Sequence, residues 1–131
     1  VFLVEEDTAR PVADDPLART YAEHLTPSGL AALARTVTAL GPGRRVLFPG
    51  AADGSLGPAS RLFAAAHDAG LRIDCWTFRA ENVFLPKDFQ VGGDPAACGD
   101  MAGLVAAYVQ AGVDTVITDH PDRTGLRSLL D

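Results

Sequence analysis

The stretch Trp76-Thr77-Phe78-Arg79-Ala80-Glu81-Asn82-Val83-Phe84-Leu85-Pro86 gathers aromatic, basic, acidic and amide side chains at the end of a β-prone run. A buried core seldom needs that mixture. A loop that must meet a polar small molecule does, because binding residues concentrate on loops held by a rigid scaffold. The chemistry on offer is recognition: ring faces, a guanidinium, a carboxylate and an amide. Asp119-His120-Pro121-Asp122 forms a second polar group behind a strand-like run, and His120 there could donate a hydrogen bond to a phosphate.

Other candidates carry less. The glycines of Gly50-Ala51-Ala52-Asp53-Gly54-Ser55-Leu56-Gly57-Pro58 would let backbone N–H groups approach an anion, but the spacing matches no phosphate-loop pattern and an ordinary turn is the simpler reading. Glu5, Glu6 and Asp7 could offer hard oxygen ligands to Mg²⁺ or Ca²⁺, yet neighbouring strand residues point to opposite faces, which favours solvated charge. His24 and His67 have no acidic or nucleophilic partner at a recognisable spacing, and His67 in an Ala-rich helix reads as a surface residue. Cys75 and Cys98 lack metal-site spacing and read as two isolated thiols.

The elements that position these groups alternate between strand and helix. Val1–Val4 is a β-prone apolar run with no polar lead-in, as though the chain begins inside a structure. After a connection through Pro11 and Pro16, Thr26-Pro27 offers an N-cap and a first-turn proline, and Leu30, Leu33, Ala34 and Val37 follow at helical spacing. Gly41-Pro42-Gly43 reads as a break, Arg45–Phe48 as a short strand, and Ser60–Ala69 as a helix closed by Gly70. Leu71–Phe78 is the third strand. Met101, Leu104, Val105, Tyr108 and Val109 make a helix ending near Gly112, Val113–Thr118 a fourth strand, and Leu126, Leu129 and Leu130 a last helix.

Four consecutive βα units predict a parallel sheet with helical crossovers, either half of a (β/α)8 barrel or a small open doubly wound sheet. Both place the loops after the strands at one end, so the 76–86 and 119–122 loops are expected to be neighbours. Alternation along Leu71–Phe78 assigns Arg72, Asp74, Trp76 and Phe78 to one face, with Asp74 paired to Arg72 or to a polar neighbour, and Leu71, Ile73, Cys75 and Thr77 to the other.

A length of 131 residues with 47% hydrophobic content allows one modest core, hence one domain or part of one. A net charge of −6 and the lack of a basic patch argue against nucleic acid as a partner. An anionic small substrate stays open, because a divalent cation reverses the local field of a carboxylate site. No apolar run approaches the ~20 residues of a membrane span.

Several segments together resemble the C-terminal half of glycerophosphodiester phosphodiesterases. They are Ala66-His67-Asp68-Ala69-Gly70-Leu71, Trp76-Thr77-Phe78-Arg79-Ala80-Glu81-Asn82 with Phe84-Leu85-Pro86, Gly112-Val113-Asp114, and Thr118-Asp119-His120-Pro121-Asp122. Thr26-Pro27 with Gly29-Leu30, Gly41-Pro42, Asp53-Gly54, and Asp94-Pro95-Ala96 with Gly99-Asp100 extend the likeness over nearly the whole chain.

The resemblance implies an incomplete TIM-barrel domain over 1–131, comprising the last four βα units of a (β/α)8 barrel. It also implies a metal-dependent hydrolase that, with Ca²⁺ or Mg²⁺, converts glycerophosphodiesters to glycerol 3-phosphate and an alcohol. The family's His-Arg pair, Glu-x-Asp pair and further metal-binding Glu belong to the first half of the barrel, so neither catalytic residues nor metal ligands are expected in this chain. By resemblance Trp76 and Phe78 contact substrate, while Arg79, Glu81 and Asn82 hold the loop in shape.

Departures from the family pattern include Asp74 in place of a usual His, Thr36-Val37-Thr38-Ala39-Leu40 in place of Tyr-Ala-Asp-Gly-Ile, and His120 in place of Asn or an aromatic. A half-barrel alone should be inactive, with open edges that favour self-association. The competing expectations are a catalytically dead binding or assembly module and an unrelated open-sheet domain. The residues leave the compartment undetermined, and the resemblance allows a secreted or periplasmic protein.

Overall fold

Four parallel strands lie side by side in chain order, each connected to the next through helix or helical turn. The computed structural model describes residues 1–5 and 19–127. Glu6, Asp7, Pro11, Pro16, Leu129 and Leu130 lie outside the described residues. The strands are β1 (Phe2–Val4), β2 (Ala39–Pro42), β3 (Arg72–Phe78) and β4 (Thr115–Thr118), in the order β1-β2-β3-β4. The molecule is therefore α/β with an all-parallel four-stranded sheet.

Several helices start at a short polar cap. Helix α1 (Tyr21–His24) carries a capping box in which Thr20 and Glu23 satisfy each other's backbone amides, a signal the sequence reading missed. Thr26 caps α2 (Pro27–Leu33) by accepting from Gly29 N at 3.1 Å, with Pro27 in the first turn as expected. The later helices are α3 (Arg44–Leu47), α4 (Leu62–Asp68) and α5 (Met101–Ala111). Asp100 caps α5 by accepting from Gly103 N at 2.8 Å, and Gly112 at φ +121° ends it.

The second strand is not where the sequence reading put it. Arg45–Phe48, expected to be extended, lies in and just after α3, and the strand is the fully buried run Ala39-Leu40-Gly41-Pro42. Gly41-Pro42, read as a breaker, is compatible with this strand for a packing reason. A Cβ at Gly41 would come within 2.7 Å of Leu3 Cδ2 and 2.9 Å of Val1 Cγ1, so glycine lets β1 lie close. Pro42 lacks an N–H, but Gly43 N donates to Val4 O at 2.7 Å and continues the ladder.

The core lies on one side of the sheet. Val4, Leu40, Ile73 and Cys75 are fully buried with Leu30 and Leu47, and full burial of a side chain the size of Leu or Ile stabilises by about 1.5–3 kcal/mol. An aromatic cluster closes this layer: Phe48 packs on Phe63 and Tyr108, and Phe78 meets Tyr108 edge-on at 5.0 Å. The opposite face is different. Val1, Leu3 and Ile117 are 62%, 57% and 43% exposed there. Strands in consecutive order with right-handed crossovers put every connecting helix on the same face, which leaves the other without a helical layer among the described residues.

Candidate functional site

The loops after β3 and β4 meet, as their position after parallel strands requires. Arg79 Nε lies 3.0 Å from Asp119 Oδ2, and His120 Nε2 lies 3.4 Å from Glu81 Oε2. The first pair is an ion pair between half-exposed groups. The second is in ion-pair range but off axis, so Glu81 Oε2 is buried without an aligned hydrogen bond. Thr118 connects the two strand ends: its Oγ1 donates to Phe78 O at 2.7 Å and accepts from His120 N at 2.9 Å.

Beyond Arg79, the chain is held by one amide. Asn82 is buried; its Nδ2 donates to Val91 O and Asp94 O at 2.8 Å each, and its Oδ1 accepts from Val91 N at 2.9 Å. Gln90 Nε2 adds bonds to Asn82 O and Leu85 O. Two short 3-10 turns, Asn82–Phe84 and Lys87–Phe89, are stacked by these bonds. Arg79 lies over the Phe84 ring at 5.0 Å. Arg79 and Asn82 therefore shape the loop, as expected of them.

The expected substrate contacts Trp76 and Phe78 do not share a face. Cys75 pairs with Val116 and Phe78 with Thr118, so β3 spends one residue more than β4 across this interval. That bulge breaks the period-two alternation and turns Phe78 to the helix side, alongside Cys75. The peptide between Trp76 and Thr77, within the same interval, is cis. Phe78 is 0% exposed and presents no surface to a ligand here. Trp76 is half-buried, and its Nε1 donates to Gly41 O at 2.6 Å, which pins the ring against β2.

Below Trp76 on its strand, Asp74 is buried and Arg72 reaches it at 3.3 Å, one of the two pairings expected of Asp74. Glu5, the described member of the N-terminal acidic run, forms no ion pair within the described residues. Among those residues no group of three or more His, Cys, Asp or Glu side chains is placed to hold a metal ion. The carboxylates nearest the strand ends, Glu81 and Asp119, already face His120 and Arg79.

The Gly50–Pro58 segment is a hydrogen-bonded turn. Ala51 N donates to Ser55 O, Gly54 N donates to Ala51 O, and Asp53 Oδ1 accepts from the Ser55 hydroxyl and amide. Those two Ser55 bonds, hydroxyl first, hold the Asp53 carboxyl below its ordinary pKa. Both thiols are free: Cys98 is exposed, and burial pushes the Cys75 thiol up to about 12.

Sequence reasoning missed two placements. Arg45, assigned to the start of a strand, lies with Arg44 in α3 just after β2, and Arg44 reaches the 83–86 loop through the Phe84 carbonyl; the adjacent cations after Gly-Pro-Gly were the available signal. His67 binds Asp114, 47 positions away. No local spacing announces that pair.

No protein-family model matches the chain, and no curated protein matches it. Among the described residues no helix is long and apolar enough to cross a membrane.

Proposed function

We propose that this chain is the C-terminal half of a glycerophosphodiester phosphodiesterase-type (β/α)8 barrel and serves metal-dependent hydrolysis of glycerophosphodiesters to glycerol 3-phosphate and an alcohol. The observation that carries the reading is the consecutive parallel order β1-β2-β3-β4, with its bare second face. An open doubly wound sheet reverses its strand order and covers both faces, whereas a barrel segment keeps the order and covers one. The sequence resemblance adds support, because the two loops that carry most of it lie against each other through Arg79 and Asp119.

In this reading the chain contributes a wall of the substrate pocket. Trp76, fixed by Gly41 O at the carboxyl end of the sheet, offers its remaining ring surface to the glycerol or the leaving alcohol. Arg79, Asn82 and Thr118 keep the loops at that end in place. A divalent cation, when bound by the family's first-half residues, supplies charge neutralisation at the phosphoryl oxygens. This chain holds neither its ligands nor the acid and base, and alone it is inactive.

The test combines two measurements. The coding sequence immediately before Val1 is read for in-frame His-Arg and Glu-x-Asp segments. The 131-residue chain is then assayed for glycerophosphocholine hydrolysis, alone and joined to such a segment. Activity only in the joined protein, reduced by Trp76→Ala, supports the proposal. Ordinary activity of the chain alone would sink it.

A second reading is favoured by the exposed Val1, Leu3 and Ile117 on the bare face: a catalytically dead half-barrel that pairs with another copy. A monodisperse dimer by light scattering, dissociated by Leu3→Lys, favours this reading over the first.

A further inference from the structure

Between α3, the Gly50–Leu56 turn and the 83–86 loop lies a cavity of about 300 Å³, into which Arg44, Arg45, Ser55 and Tyr108 all contribute. It opens on the helix side of the sheet, whereas Trp76 belongs to the other side. Two guanidinium groups at its wall are unusual in a chain whose net charge is −6. Neither forms an ion pair with a carboxylate of the described residues. The carboxylates that touch the turn are engaged elsewhere: Asp53 by Ser55, Asp88 by the Leu56 amide at 3.1 Å.

Arg44 is held in place without being neutralised. Its Nη2 donates to Phe84 O at 2.8 Å, its guanidinium sits 5.7 Å from the Phe78 ring centre, and its own carbonyl accepts from the Tyr108 hydroxyl at 3.0 Å. A guanidinium carries five N–H donors, and one neutral carbonyl leaves most of them free. Burial pushes the Arg44 pKa below its ordinary value; Tyr108 and Cys75 oppose that, and Arg45 and Arg79 add to it. A half-buried cation next to two others, with no ion-paired anion among the described residues, is an electrostatic deficit that a bound anion removes.

We propose that this cavity binds a tetrahedral phosphate group, gripped by Arg44 from the 83–86 side and by Arg45 from the solvent side. Its volume, near the lower end for small-molecule sites, suits an anion of that size. The guanidinium fork matches phosphate oxygens in pairs, which a point charge does not. The turn amides of Ala51 and Gly54 are spent internally, so recognition falls to the side chains.

The proposal does not depend on hydrolysis, and its test is a binding measurement. The protein is titrated calorimetrically at low ionic strength with inorganic phosphate, methyl phosphate and acetate, and amide shifts are followed by NMR. Saturable binding of either phosphate species, with shifts centred on Ser55 and Phe84 and weaker binding of acetate, is expected. Tighter binding of methyl phosphate assigns the site to phosphomonoesters, and tighter inorganic phosphate to the free ion. Arg45→Gln, an exposed change that spares the fold, should weaken binding about tenfold. Arg35→Gln, outside the cavity, should leave it unchanged. Absence of saturable phosphate binding, or equal losses from Arg35→Gln and Arg45→Gln, overturns the proposal.

Discussion

His67 Nε2 lies 2.9 Å from Asp114 Oδ2, and the same oxygen accepts from Ile73 N at 2.8 Å. One carboxylate thus ties the end of α4 to β3 at the point where the chain enters β4. The Asp114 carboxyl titrates below its ordinary value: burial works against ionisation, but the Ile73 amide, His67 and Arg72 together outweigh it.

That shift has a definite sign. A carboxyl whose folded pKa is depressed contributes stability that is fully present above its unfolded pKa and is lost as pH falls through the folded one. Asp114→Asn should therefore cost about 1 kcal/mol in urea unfolding at neutral pH, the modest size reflecting partial exposure. The deficit should vanish in acid. A deficit independent of pH would show that the charge plays no part.

Trp76 and Phe78 should respond unequally to substitution because the bulge sends them to different faces. Phe78→Ala empties a fully buried site against Tyr108 and should cost about 3–5 kcal/mol. Trp76→Phe removes the bond to Gly41 O and should cost only about 1 kcal/mol. Equal losses in denaturant titrations would contradict the assigned faces.

The 82–99 loop depends on Asn82 and on space left by a glycine. Asn82→Ala abandons two carbonyls and the Val91 amide and should destabilise by roughly 3 kcal/mol, with Val91 N–H exchanging freely in deuterium. At Gly99 a Cβ would collide with Asn82 Oδ1, Leu85 and the Phe89 carbonyl, so Gly99→Ala should cost about 1–3 kcal/mol. Retained protection at Val91 in the Asn82 variant would mean the loop is held by other bonds.

The two cysteines should differ in reactivity. Burial holds Cys75 as a thiol with a pKa of about 12, while Cys98 is exposed. Iodoacetamide at mildly alkaline pH should modify Cys98 in the native protein and reach Cys75 only after denaturant is added, because the thiolate is the nucleophile. Mass spectrometry of peptides resolves the sites, and native labelling of Cys75 would contradict its burial.

Much of the framework was legible locally. The Thr26-Pro27 start of α2, the Gly70 and Gly112 helix ends and the Leu71–Phe78 strand follow from caps, glycines and apolar spacing, which act within a few residues. The same signals misled at Gly41-Pro42-Gly43, since a breaker in isolation is acceptable in a strand whose neighbour needs the missing Cβ. The Arg72–Asp74 contact was readable because both residues sit on one strand two positions apart.

The sequence by itself determined the alternation of strand and helix, and with it a parallel sheet whose strand-end loops converge. Tertiary structure alone decided which residues face which way and which charges meet. The extra residue between Cys75 and Phe78 is visible only once β4 supplies a register, and it reverses the face of one aromatic. His67 finds Asp114, and Arg44 the Phe84 carbonyl, across 47 and 40 positions. Local periodicity reports what one segment buries. Partners so far apart are set by strand register and packing across the whole sheet.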